Sequence, residues 1–232
     1  MAELEKQPPL HIAPIANGDG KADKGGAGKE LCLLSSAYFP PVQWMQKLNR
    51  YRHVIIERND NFQKQTFRNR CLIATANGVQ ALTVPIEKYT GAKCLMRDIR
   101  ISDHGEWRHL HWNAIVSAYG ESPFFDYYAD DLRPFFERKW TYLFDFNMEI
   151  VHKLCELLDV RPHTKLTDTY ADAEAVLADD FRDAIRPKHP LADSSFEPHP
   201  YYQVYATRHG FLPNMSALDL LCNEGPEGIF WL

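Results

Sequence analysis

The ten residues QKQTFRNRCL at 63–72 put three cationic side chains, Lys64, Arg68 and Arg70, with Gln63 and Asn69 directly before an apolar run. Guanidiniums present forked donors that match phosphate and carboxylate, and lysine adds a point charge. In an extended strand, residues two apart share a face at a spacing of about 6.6–6.8 Å. Arg68 and Arg70 are therefore expected to project together at the N-terminal end of a strand whose continuation, Cys71–Ala74, is apolar on both faces. The structural alternative is an ion-pair network with Glu57, Asp60 or Glu87. A second group lies in WRHLHW at 107–112. His109 and His111 are two apart, so on a helix they point about 200° away from each other and cannot share a metal. His111 stacks at helical spacing with Ile115 and Tyr119. It is either a satisfied core histidine or, from its ordinary pKa, a general acid or base.

The elements that must position these groups are legible in outline. LCLLSSAYF (31–39) reads as a buried strand, PPVQWMQKLNRY (40–51) as a helix with prolines at its first turn, and RHVIIERND (52–60) as a second strand. Strand, helix, strand implies a parallel βαβ unit. FRNRCLIATANGVQALTVPIEK (67–88) reads as a hairpin on the Asn77–Gly78 signal. MRDIRIS (96–102) is a candidate strand and 107–122 a helix; Ser122–Pro123 opens another helix, with a break or restart at Pro134. A long amphipathic helix is expected over 141–158, and a polar loop with one short helix near 171–185 follows. YYQVYA (201–206) reads as a strand, and a short helix is capped by Ser216 and ended by Gly225. The expected fold is α/β: an N-terminal Rossmann-like βαβ plus a β-hairpin in a mixed sheet, then a helical C-terminal half. The expected organisation is a disordered leader at 1–30, poor in large apolar residues, and a single domain at 31–232, sheet-rich over about 31–106 and mainly helical over about 107–232.

If the hairpin strand runs antiparallel to the second strand, Lys64, Arg68 and Arg70 meet the N-terminus of helix 40–51 at the carboxyl edge of the parallel pair. That edge is where open α/β sheets hold ligands. A helix N-terminus and paired guanidiniums both suit an anion, and Gln43 and Gln63 add neutral donors.

The 232 residues, net charge of -5 and pI near 6.1 argue against nucleic acid as the main partner. Five cysteines without a CxxC read as reduced core thiols, which favours a cytoplasmic protein. MAELEKQPPL lacks the regions of a signal peptide, and no apolar stretch is long enough to insert in a membrane. GxGxxG, Walker A and GxSxG sequences are absent, so no cofactor is indicated. Ser35 and Ser36 end the first strand, where a nucleophile could sit. In SPFFDYYADDLRPFF, Tyr127 and Tyr128 beside Asp126 and Asp130 could stack a sugar, although aromatics at helical spacing are usually core.

The blocks AYFPPVQWMQKL, VIIERNDNFQKQTFRNRCLI, NGVQALTVPI and WRHLHWNAIVSAYGESPFF, with YYQVYATRHGFLPNMSALDLLCNEGPEG near the C-terminus, resemble the WbqC-like family. The resemblance implies a place in O-antigen or related surface-polysaccharide biosynthesis, where aminoacyl (glycine) transfer has been suggested. Gln63, Lys64, Arg68, Asn69 and Arg70 match the family's polar block, Tyr38, Phe39 and Pro40 its aromatic–proline turn, and His111 the histidine of its W…H…Y helix. Many relatives carry a small, glycine-containing segment after the proline turn; here it reads VQWMQ, and the much bulkier Trp44 departs from the pocket floor that the resemblance implies. The reading is a transferase acting on a nucleotide-activated sugar or related anionic substrate. His111 and Lys64 are the catalytic candidates, and Tyr38, Gln43, Gln63, Arg68, Asn69, Arg70 and Tyr119 the substrate-binding ones, with no metal. The alternatives are a non-catalytic nucleotide-sugar binding or scaffold protein, and a nucleotidylyltransferase-like enzyme. The last shares the βαβ architecture but lacks HxGH.

Overall fold

The computed structural model describes residues 30–232, so all but the last residue of the expected leader lies outside the described residues. Strands β1 (Leu31–Ser35) and β2 (His53–Glu57) pair in parallel from Leu31↔His53 to Ser35↔Glu57, joined by α1 (Val42–Arg50). This is the expected βαβ unit. Its apolar centre, Cys32–Leu34, is fully buried because both faces of β1 are covered. Two short strands flank it in parallel, β5 (Thr164–Leu166) beside β2 and β6 (Asp179–Asp180) beside β1, giving the order β5-β2-β1-β6. These strands stand where a loop with a helix near 171–185 is expected from the sequence.

The hairpin forms, as β3 (Arg70–Thr75) and β4 (Gly78–Thr83), with Ala76 and Asn77 as its two-residue turn. Gly78 takes φ +99, a value that L side chains rarely adopt. The hairpin is its own two-stranded sheet and does not extend the parallel one. After β2 the backbone is already engaged: Met96 N–H donates to the Asp60 carbonyl, Phe62 N–H to that of Cys94, and Asn61 bridges Leu95. The segment expected as a strand at 96–102 is thus a 3₁₀ turn (Met96–Asp98) followed by single bridges, Arg100↔Tyr142 and Ile101↔Ile86.

The helical half comprises α2 (Trp107–Tyr119), α3 (Phe125–Leu132), α4 (Pro134–Glu137), α5 (Leu143–Leu157), α6 (Ala206–His209) and α7 (Ala217–Glu224). Pro134 starts α4, as its fixed φ suits a first helical position. The helix after Ser122–Pro123 begins only at Phe125, because Phe124 N–H is drawn to the Cys222 carbonyl. Ser216 caps α7 by accepting from Leu218 N–H, and Gly225 closes it at φ +61. A Cβ on Gly225 would lie 2.6 Å from the Phe124 ring. The segment 201–206 is a turn leading into α6, not a strand, since the Tyr201 and Gln203 side chains reach Asp219 on α7. One aromatic-rich core joins β1, α1, the hairpin, α2–α5 and α7.

Candidate active site at the carboxyl edge of the parallel sheet

Ser35 and Glu57 end β1 and β2 side by side. Three residues past β2, Asp60 receives Arg68: Nε and Nη2 both donate to Asp60 Oδ2, the first at 2.9 Å. Nη2 also donates to Ser35 Oγ at 2.6 Å, and Ser35 Oγ in turn donates to Asp60 Oδ2 at 3.1 Å. Arg68 is only 3% exposed. It lies just before β3, so it does not share a strand face with Arg70. Asp60 Oδ1 is buried with no hydrogen-bond partner among the described residues. Burial pushes the Asp60 carboxyl above its ordinary range, while the Arg68 charge and the Arg68 and Ser35 hydrogen bonds pull it back.

A second guanidinium arrives from the end of the parallel sheet. Arg182 forks onto Asp180, with Nη2 at 2.7 Å from Oδ2, and lies 4.6 Å over the Tyr170 ring. Its Nη1 donates to the Ala171 carbonyl at 2.8 Å and to Glu57 Oε2 at 3.3 Å. Glu57, fully buried, also accepts from Asn59 N–H, Thr167 Oγ1 and Ala171 N–H. Ser35, Arg68 and Arg182 line one cleft with Trp44, Phe67 and Phe181. Its enclosed space holds about one water molecule. Trp44 fills the floor, as its bulk implies, and donates Nε1–H to the Ser35 carbonyl.

Beside this cleft sits a third buried pair. Lys47 on α1 reaches Asp193 and Ser195 on the 186–200 segment and lies 4.5 Å over Phe181. Gln43 Nε2 donates to Asp193 at 3.0 Å. Burial raises the Asp193 carboxyl, but hydrogen bonds from Lys47, Gln43 and Ser195 outweigh it and hold the group at about 2.

Several expected site residues are placed otherwise. The N-terminus of α1 is spent within the protein: Val42 N–H donates to the Met215 carbonyl and Gln43 N–H to Asn214 Oδ1. The Gln43 side chain binds Asp193 and Asn214. Asn69 bonds the Val84 carbonyl, and Arg70 donates to Thr83 Oγ1 at the hairpin's open end. Gln63 reaches Asp183 on the surface and Lys64 is solvent-exposed. Tyr38 is fully buried, its hydroxyl 2.9 Å from His111 Nδ1. His111 is packed among Tyr38 and Trp107 and is not part of the cleft wall. Burial lowers its pKa to about 4, only partly countered by the Thr83 backbone, so its imidazole is neutral at neutral pH. Tyr119 is buried, accepts from Ala74 N–H and borders Asp219. Tyr127 is exposed and Tyr128 buried against the core. Cys71 and Cys222 are buried thiols whose pKa burial raises.

The sequence reading missed Arg182, Lys47 and Asp193 as members of this edge, and took Asp60 and Glu57 only as possible ion-pair partners. A turn such as FRDAIRPK carries no local mark of where its arginines end. Among the described residues no three His, Cys, Asp or Glu side chains are grouped to hold a metal, and no helix is long and apolar enough to cross a membrane.

The chain is 26% identical over 223 residues to the "Uncharacterized protein Rv1507c" of Mycobacterium tuberculosis, covering 86% of this chain and 95% of that one. No solved structure is significantly similar to it. The WbqC-like protein family matches residues 35–183, well over half of the chain and the whole of the carboxyl-edge cleft up to Arg182. The chain belongs to the WbqC-like protein family.

Proposed function

We propose that this protein binds a nucleotide-activated sugar, or a related anionic substrate, at the carboxyl edge of its parallel sheet and transfers a group to or from it in surface-polysaccharide biosynthesis in the cytoplasm. One observation carries the proposal: two guanidiniums, Arg68 and Arg182, and the Ser35 hydroxyl line a single cleft where parallel α/β sheets receive ligands. The pathway rests on the family resemblance alone. Both arginines have a carboxylate partner inside the protein, Asp60 and Asp180. An incoming phosphate competes with those carboxylates for the same planar donors, so binding exchanges one charge-assisted pair for another. Asp60, next to Ser35 and with one oxygen unpartnered, is the group placed to take a proton from a substrate or from Ser35. His111 and Lys64 recede as catalytic candidates: one lies behind the cleft wall and the other in open solvent.

Nucleotide-sugar binding without catalysis is the second reading. With room for about one water molecule, the cleft must widen to admit a nucleotide sugar under either reading. A nucleotidylyltransferase-like reaction is disfavoured, because the α1 N–H groups that would hold phosphate already have acceptors.

Thermal stabilisation by nucleotides, nucleotide sugars and aminoacyl donors tests the proposal, with Arg182→Lys as the comparison. A ligand at about 100 times its Kd adds roughly 2.7 kcal/mol, a rise of about 2–4 °C in Tm. The proposal expects that rise with a nucleotide sugar and its loss in Arg182→Lys, which keeps the charge but not the fork. No rise with any of these ligands overturns it.

A further inference from the structure

A second concavity lies at the far end of the hairpin. β3 runs from Arg70 to Thr75, so its Thr75 end is roughly 17 Å from Arg70 at about 3.3 Å per residue. There the hairpin tip faces the C-terminal half of α2 across a groove of about 310 Å³. That size matches a small-ligand site. Its lining contains no ionisable side chain: Thr75, Asn77, Gln80, Asn113 and Ser117 supply hydroxyls and amides, and three alanines complete it.

The polar side chains of this groove, Asn77, Gln80, Asn113 and Ser117, are exposed to water and can exchange that water for a ligand's hydroxyls. Two features bear on what it could hold. The first is unspent hydrogen-bonding capacity. Asn77, Gln80 and Ser117 side chains make no hydrogen bond to other described residues, and Asn113 makes a single one, to His109 on its own helix. Each amide offers two donors and an acceptor, and the hydroxyl offers both roles. The second is that the walls are tied in place. Thr75 Oγ1 donates to the Gly78 carbonyl and accepts from Asn77 N–H, which fixes the tip. His209 Nε2 bonds the Ala76 carbonyl at 3.0 Å, and Tyr205 donates to the Ser117 carbonyl at 3.3 Å. The 205–209 segment thereby fastens to both walls, so the groove is held open in advance of any ligand, which lowers the ordering cost of binding.

We infer that the groove between the hairpin tip and α2 is a binding site for an uncharged polyhydroxyl ligand, a neutral sugar unit. Paired donors and acceptors on amides match the hydroxyls of a pyranose, each of which both donates and accepts. The alanines allow close approach of its C–H face. The absence of a cation removes the basis for phosphate or carboxylate binding. The α2 wall offers mainly side chains, since the Ser117 carbonyl near its end already accepts from the Tyr205 hydroxyl. This inference stands apart from the transferase proposal: it concerns different residues and needs no reaction.

Saturation-transfer NMR with maltotriose and chitotriose as probes tests it on the full chain. Glucose 1-phosphate serves as the charged comparison. Gln80→Ala with Asn113→Ala removes two exposed side chains that the core does not use, and Ser117→Trp fills the groove. The expected result is saturation transfer to at least one neutral trisaccharide, weakened about tenfold by the double alanine variant and abolished by Ser117→Trp, in variants whose Tm matches wild type. No transfer to either trisaccharide overturns the inference. So does transfer that survives both variants, or tighter binding of glucose 1-phosphate at the same residues.

Discussion

At the carboxyl edge of the parallel sheet three carboxylates, the buried Asp60, the exposed Asp180 and the part-buried Asp193, each face a cation: Arg68, Arg182 and Lys47. On α7, Asp219 is buried like Asp60 but meets only neutral donors, among them the Tyr201 hydroxyl and Gln203 Nε2, both at 2.7 Å. Hydrogen bonds from Tyr201, Gln203 and Tyr119 do not offset the desolvation of Asp219, and burial pushes its carboxyl up to about 6. Asp193, with Lys47 beside it, is held at about 2. Burial wins at Asp219 and, in spite of Arg68, at Asp60, whose carboxyl is also raised; at Asp193 the combined hydrogen bonds from Lys47, Gln43 and Ser195 outweigh it. The edge is a set of neutralised ion pairs. The Asp219 network is a proton-sensitive strut between the 201–203 segment and α7.

Breaking the Arg68–Asp60 pair has the largest expected effect. Arg68→Met leaves a buried carboxylate without its cation and should cost about 3–5 kcal/mol in urea unfolding. Asp60→Leu should cost a similar amount, and the double variant should recover most of it. Strict additivity would mean that the two do not act as a pair. Next, Asp193→Asn uncouples Lys47 and should destabilise by about 3 kcal/mol. Because Asp193 anchors the 186–200 segment, the same variant should be cleaved there faster under limited proteolysis. An unchanged cleavage pattern would show that other contacts hold that segment.

The two aspartates should also respond to pH with opposite sign. Asp193 has a depressed folded pKa, so its contribution is present above about 4 and is lost as pH falls toward 2. Asp219 has a raised one. Folding takes up a proton, and the contribution is fullest below about 4 and is lost as pH rises through 6. The wild-type minus Asp219→Asn difference in unfolding free energy should change by about 2 kcal/mol between pH 4 and pH 6.5. A flat difference would remove Asp219 as the titrating group. The smallest effect is expected for His111→Gln, about 1 kcal/mol from the Tyr38 hydrogen bond, with ligand binding unchanged.

What was legible in the sequence was local. The apolar runs of β1 and β2, the Asn77–Gly78 hairpin signal, the Ser216 cap and the Gly225 stop each depend on neighbours within a few residues, and each forms. The strand expected at 201–206 failed because YYQVYA alternates for another reason: Tyr201 and Gln203 both reach Asp219, and among the described residues no strand pairs with this segment. The anion reading of the α1 N-terminus failed because Asn214 and Met215 arrive from the other end of the chain. Arg68 with Asp60 was within reach of sequence reasoning, being eight residues apart. Arg182 with Glu57, 125 residues apart, was not. No periodicity links residues so distant; only the fold brings them together.

Titration calorimetry of a nucleotide sugar into wild type and Arg68→Lys tests the central claim most directly. The account predicts saturable binding to wild type that weakens tenfold or more in the lysine variant, because one ammonium cannot replace the planar fork. Equal affinity in the two proteins, or no binding to the wild type, would contradict it.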